Sequence, residues 1–230
     1  MSVAHSVPVP VPVAAAPAAS PRLRSGRALV ASLGLLAALT APVARAQDMP
    51  IENETARRAV HVCASCHGDG GRSSKVHYPS IAGQPALYLS HQLMDFRAQQ
   101  RSEADGKAYM WGVSALLDDA SIEALSAYYA AQTPPSGKGA GPAALIQAGK
   151  TLYDKGLPKA GVRACASCHG EQAEGAAAFP RLAGQQTRYL EAQLTGFRTR
   201  LRPHGVLMKE EVAGLKPDQI KALAAYLHSL

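Results

Sequence analysis

The stretches "HVCASCHGDGGRS" (His61–Ser73) and "RACASCHGEQAEG" (Arg163–Gly175) contain all four cysteines of the 230-residue chain, as two copies of the pentapeptide CASCH. A C-x-x-C-H run fits covalent haem attachment. The two thiols are spaced to reach the two vinyl groups of one porphyrin, and the adjacent histidine falls beneath the iron as proximal ligand. Cys63, Cys66 and His67, and again Cys165, Cys168 and His169, are therefore the expected anchors of two covalently bound haem c groups. A thioredoxin-like C-x-x-C would call for a βαβ surround and would leave the repeated histidine without a role. A zinc site would need a second Cys or His pair at matching positions in each half, and the sequence offers none.

Arg22, Arg24 and Arg27 precede the uncharged run "ALVASLGLLAALTAPVA", and a small-x-small signal, "ARA", ends at Ala46. This is the pattern of a secretory signal peptide over residues 1–46, with Gln47 first in the mature chain. The apolar run is short for a membrane span, and an uncleaved anchor is the alternative. The leader holds four arginines and no acid, so 20 of the 24 basic residues remain against 17 acidic ones, and the formal charge falls from +7 to +3. Basicity therefore gives no support to nucleic-acid binding. Exported cysteines meet an oxidising compartment, where an ordinary pair would close a disulfide. The histidine after each pair argues for haem instead, and the expected location is the periplasm.

Laid on itself at an offset near one hundred, the mature chain repeats. "CASCHG" at Cys63 returns at Cys165, "YPSIAGQPALYLSHQLMDFR" at Tyr78 returns as "FPRLAGQQTRYLEAQLTGFR" at Phe179, and "MWGVSALLDDASIEALSAYYA" at Met110 returns as "MKEEVAGLKPDQIKALAAYLH" at Met208. "QTPPSGKGAGPAA" between the copies is rich in Pro and Gly, as linkers are. The expected organisation is a domain over 47–133, a linker over 134–142 and a second domain over 143–230. Both domains read as all-α. Leu89, Leu93 and Phe96, repeated as Leu190, Leu194 and Phe197, make the apolar stripe of one helix that starts near Pro85. Ile122, Leu125 and Tyr128, repeated as Ile220, Leu223 and Tyr226, make that of another, capped by Asp118 in the first copy and opened by Lys216 and Pro217 in the second. A third helix is expected over 52–62 and over 143–155. Three short helices give so small a domain a thin core, which a large apolar prosthetic group would fill.

The repeat also points to the second axial ligand. At matching offsets His61 faces Arg163, His77 faces Ala178, His91 faces Ala192, His228 faces Ala130, Met94 faces Thr195, and His204 faces Gly106 or Glu103. Only Met110 and Met208 coincide, each expected in a loop ahead of the last helix. His/Met ligation of both irons follows as the expectation. Met94 reads as a packing residue, His77 and His204 as alternatives near the haem loops, and Trp111 as a haem-edge, core or surface aromatic.

The two C-x-x-C-H domains, the "PSIAGQ" and "PRLAGQ" blocks and the methionine ahead of the last helix resemble the dihaem cytochrome c4 family of class I c-type cytochromes. The resemblance covers essentially the whole mature chain. It implies two tandem cytochrome c folds, each a small helical fold wrapped around a covalent haem. It also implies that the carbonyls of Pro79 and Pro180 receive the Nδ1 protons of His67 and His169. Arg97 and Arg198, at matching positions, are candidates for contacts to the propionates, with solvated helix ends as the alternative. An iron closed by His and Met has no substrate position, so the expected role is a monomeric periplasmic shuttle of single electrons. It would dock transiently between a quinol:cytochrome c oxidoreductase or dehydrogenase and a terminal oxidase or other reductase, and association with a membrane surface is compatible with that role. The alternatives are a dihaem redox enzyme of the peroxidase or thiosulfate-oxidising type, and a haem subunit of a membrane complex.

Overall fold

Helix α1 (Glu54–His67) starts at Asn53, whose side chain accepts the Ala56 N–H at 2.8 Å, and runs unbroken through CASCH. The sequence reading had ended it near residue 62. No Gly or Pro stands between Glu54 and His67, so nothing halts it before Gly68. In the second copy, Gly156, Pro158 and Gly161 interrupt the equivalent helix. There α5 (Ala143–Lys155) stops, a 3₁₀ turn (Pro158–Ala160) intervenes, and the motif restarts as the single turn α6 (Ala166–His169). The computed structural model describes residues 51–230 apart from 138 and 140, so the expected signal peptide and Met49 lie outside the described residues.

The remaining helices come in matched pairs: α2 (Ala86–Arg97) with α7 (Thr187–Arg198), α3 (Trp111–Ala115) with α8 (Val206–Val212), and α4 (Asp119–Ala130) with α9 (Pro217–Ser229). Among the described residues β pairing is confined to two isolated bridges, Leu157 with Val162 and Ala176 with Phe179. No described helix is long and apolar enough to cross a membrane. The methionines are not in loops as the sequence suggested. Met110 ends a one-turn π-helix (Gly106–Met110) that runs into α3, and Met208 lies within α8. Lys, Ala, Tyr and Met around Met110, and "LMKEE" around Met208, hold helical dihedrals without a breaker.

The apolar stripes meet as expected. In the first half Leu89, Ile122, Leu125 and Tyr129 form the core with Ala56, and Met94 packs against it. In the second, Leu190, Phe197, Ile220, Leu223, Tyr226 and Leu227 join Leu152 and Tyr153 in a more extensive cluster. The Asp118 carboxylate caps α4 by accepting the Ser121 N–H at 2.8 Å. In the second half Pro217 takes the first turn of α9, and Gln219 Oε1 accepts the Lys216 N–H at 2.8 Å. Helices α5 and α9 cross so closely that a Cβ on Gly149 would lie 2.0 Å from the Ala222 carbonyl oxygen. Gly149→Ala is therefore expected to force the helices apart and cost about 1–3 kcal/mol, read as a lower urea midpoint with an unchanged haem count.

The repeated "AGQ" block is where the halves join. Gly83 and Gly184, at φ 67° and 71°, donate their N–H groups to the carbonyls of Tyr129 and Leu227, each at 2.8 Å. A Cβ on either would collide with the linker, on Pro134 in one case and on the Pro135 carbonyl in the other, so only glycine suits both the turn and the contact. The glutamines that follow cross the boundary reciprocally. Gln84 donates to the Arg181 carbonyl (2.7 Å) and accepts from the Arg181 N–H (3.0 Å). Gln185 does the same with Ser80 (2.8 and 2.9 Å). The halves thus meet in a pseudo-two-fold seam whose buried amides are satisfied by main chain of the opposite half.

Candidate haem-binding cavity

One cavity of about 1170 Å³ opens along this seam and is lined from both halves. It exceeds the roughly 300–1,000 Å³ of a single small-molecule pocket. Cys63, His67 and Met110 line it from the first half, and Cys165, Cys168, His169 and Met208 from the second. Cys66, half-buried in the same turn of α1, is the one expected anchor outside the lining. The apolar wall includes Leu89, Leu93 and Phe96 and their counterparts Leu190, Leu194 and Phe197.

Each motif histidine is held from behind. His67 Nδ1 lies 2.8 Å from the Pro79 carbonyl, and His169 Nδ1 lies 3.0 Å from that of Pro180. An Nδ1–H that donates there leaves the Nε2 lone pair for a metal and fixes the ring plane. Burial lowers the pKa of both imidazoles, against the smaller opposing pull of the proline carbonyls, which keeps them neutral and able to ligate. Burial likewise pushes the Cys63 thiol up and that of Cys165 up to about 11. An aromatic edge supports each imidazole: Tyr78 against His67 (6.4 Å between centroids) and Phe179 against His169 (6.3 Å). The sequence reading had aligned these two aromatics without giving them a task.

Other candidates have different occupations. Met94 packs on the first core. His204 Nδ1 sits 2.6 Å from Asp95 Oδ1, and His228 Nδ1 lies 2.8 Å from the Gln185 carbonyl. His77 and His91 line the cavity rim and are exposed. Trp111 donates its indole N–H to the Arg101 carbonyl at 2.6 Å. Arg97 ties α2 to the start of α4 through the Leu117 carbonyl (2.9 Å) and Asp119 (2.5 Å). Neither Arg97 nor Arg198 lines the cavity.

Of the arginines in the cavity wall, Arg101 and Arg202 are the buried ones, and the sequence reading missed them. Each lies 4.2 Å over a phenylalanine of its own half, Phe96 or Phe197. Each also donates to the same two glutamines: Arg101 to Gln92 and Gln193 (both 2.9 Å), Arg202 to Gln193 (2.8 Å) and Gln92 (2.5 Å). Glu103 joins them from Arg101's side, 2.5 Å from its Nη2. The signal was available: Gln84, Tyr88 and Gln92 recur as Gln185, Tyr189 and Gln193, a polar series of period four that leads into each helix and flanks its apolar stripe.

The donor set therefore fits two haems: paired thiols, a neutral backed imidazole and a thioether in each half, around one apolar cavity. Fold and site together define a tandem c-type cytochrome. The cytochrome c family model matches residues 55–131 and 146–230. Cytochrome c-552 of Acidithiobacillus ferridurans is 38% identical over 169 residues, 73% of this chain and 73% of that protein. The crystal structure of reduced recombinant cytochrome c4 from Pseudomonas stutzeri superposes with a TM-score of 0.70 at 32% identity, over 77% of this chain and 97% of that one. A protein named thiosulfate dehydrogenase electron acceptor, from Thiomonas intermedia (strain K12), is 36% identical over 172 residues, 72% of this chain and 76% of that protein. The chain belongs to the dihaem cytochrome c4 family. It is an electron-transfer protein that carries two covalent haem c groups and exchanges electrons with other redox proteins.

Proposed function

We propose that the chain is exported, loses residues 1–46 and carries single electrons through the periplasm. In this reading the domains span 47–133 and 143–230, joined by 134–142. Cys63 with Cys66, and Cys165 with Cys168, are the thioether anchors. His67 and His169 are the proximal ligands, and Met110 and Met208 close the opposite axial positions. Each haem supplies a one-electron ferric/ferrous couple when bound. The observation that carries the reading is the matched pair of a proline-backed histidine and a methionine in each half of one cavity. With His and Met holding the iron in each half, no position would be left there for a substrate, and the group would supply one-electron transfer alone. The methionine sulfurs favour the ferrous state and raise the potentials, which suits a carrier late in a respiratory chain. The donor is then a quinol:cytochrome c oxidoreductase or a dehydrogenase, and the acceptor a terminal oxidase or other reductase. Similarity to a protein named for accepting electrons from thiosulfate dehydrogenase favours a dehydrogenase among the donors. Docking is expected to be small in area and transient.

Optical spectra of the exported protein, oxidised, reduced and reduced under carbon monoxide, test this reading. The expected result is a Met-to-ferric charge-transfer band and no carbon monoxide response. A response at either haem would move that half towards ligand binding or catalysis.

A further inference from the structure

Tyr129, on α4, is 4% exposed, and its hydroxyl has no hydrogen-bond partner among the described residues. A buried donor left unpaired costs free energy, so a group to receive its proton is expected in the finished molecule. The repeat shows that the main chain at this position does not require a tyrosine. The counterpart at an offset of 98 is Leu227, and the carbonyls of both residues accept the N–H of the matching glycine, Gly83 or Gly184, at 2.8 Å. The ring nevertheless has a place made for it. Gly71 corresponds to Ala173 at an offset of 102, and both carbonyls receive the same pair of N–H groups, from Ile81 and Ala82 in one half and from Leu182 and Ala183 in the other. A Cβ on Gly71 would lie 2.8 Å from Tyr129 Cδ1. The first half thus pairs glycine with tyrosine where the second pairs alanine with leucine, and the exchange adds a hydroxyl to the first core.

Tyr129 and Cys63 belong to one hydrophobic cluster, built by α4 and α1, and both line the haem cavity. The Cys63 sulfur lies within reach of the phenol, whose pull works to lower the thiol against the larger effect of burial. Burial, and then the Cys63 charge, push the phenol itself up, so its proton stays in place for donation. Sulfur is a weak acceptor, but in a buried site no water competes for the donor. The second half has no such proton to offer. The tyrosine beside Cys165 is Tyr153, from α5, and its hydroxyl donates to the Gly170 carbonyl at 2.6 Å. We infer that in the holoprotein the Tyr129 hydroxyl donates to the thioether sulfur of Cys63 and, by drawing electron density from it, favours the ferrous state of the first haem. Outer hydrogen bonding is one of the protein's levers on a haem potential, and a donor favours the more electron-rich state. This inference rests on Cys63 anchoring a haem as proposed above.

The test compares the wild-type holoprotein with Tyr129→Phe, which keeps the ring and removes the hydroxyl. Haem counts and pyridine haemochrome spectra establish how many haems and thioethers each carries. In the reduced, diamagnetic wild type the Tyr129 hydroxyl proton is expected as a slowly exchanging resonance with a nuclear Overhauser contact to the Cys63 thioether bridge. Tyr129→Phe is expected to lose that resonance, to lower the urea midpoint, and to lower one redox midpoint while the other holds. Removing a hydroxyl that has no acceptor is neutral or stabilising, so a urea midpoint unchanged or raised in Tyr129→Phe overturns the inference. Redox midpoints that both stay in place overturn it as well. So does a wild type without the contact to the bridge, a result that needs no variant to fold. A wild type whose Cys63 carries no haem overturns the ligand reading instead.

Discussion

Arg101→Ala is expected to lower the stability of the folded protein by about 3–5 kcal/mol, because it strands a buried carboxylate. Arg101 is 4% exposed and supplies the short contacts to Glu103, together with one hydrogen bond to each half through Gln92 and Gln193. Without it, Glu103 keeps only Arg202 at 3.9 Å. A buried charge that loses its partner costs far more than the pair contributes when intact, since its desolvation is no longer offset. Replacing both partners, as Arg101→Met with Glu103→Leu, is accordingly expected to recover most of the loss. Urea unfolding followed by far-ultraviolet dichroism measures both, and a double variant as weak as the single would point to lost packing on Phe96 instead.

The same pair predicts a pH dependence. Burial works to raise the Glu103 pKa, but the charge and hydrogen bonds of Arg101, aided by Arg202, outweigh it and hold the group below its ordinary 4.5. A depressed folded-state value contributes stability that is complete above that ordinary value and is lost as pH falls through the folded value. Removing Arg101 lets burial move the carboxyl back up. The acid-side fall in stability is therefore expected to be smaller in Arg101→Ala than in the wild type.

The second large effect is chemical. Met208→Ala is expected to remove about half of the charge-transfer band, admit carbon monoxide to one haem and lower that haem's potential, since a thioether opposite histidine favours the ferrous state. Met208 is partly buried against the second core and sits on the cavity wall, so a truncation there costs little packing and would open the iron position its sulfur is proposed to fill. Met110→Ala is expected to do the same in the other half. An unchanged band in both variants would hand the axial role to another side chain, with His204 first in line for the second haem.

The fold was legible where the signal was local or repeated. The apolar stripes over Leu89 to Phe96 and Leu190 to Phe197 and the Asp118 cap stand where the sequence put them, and the proline carbonyls behind His67 and His169 where the family resemblance implied them. Much of what the sequence did not reveal lies at the seam between the halves, which is made by tertiary contact. Arg97 and Arg198 stood out as matching positions of the repeat, and Arg97 bonds the start of α4. Arg101 and Arg202, four residues further on, reach the cavity because the chain turns back on itself past α2 and α7, at Gln99 and Arg200 with φ 59° and 61°. The period-four stripe from Gln84 to Gln92 reads as a solvated face until a second copy of it is packed against the first. The methionines were assigned to loops because two turns of helix are too short to leave an amphipathic signature.

The central claim is that one cavity, built twice over by the repeat, holds two haems that each take up one electron. Reductive titration of the purified holoprotein against a parallel haem count tests it most directly. Two haems and two electrons per chain are predicted. One haem, or one electron per chain, would contradict the account.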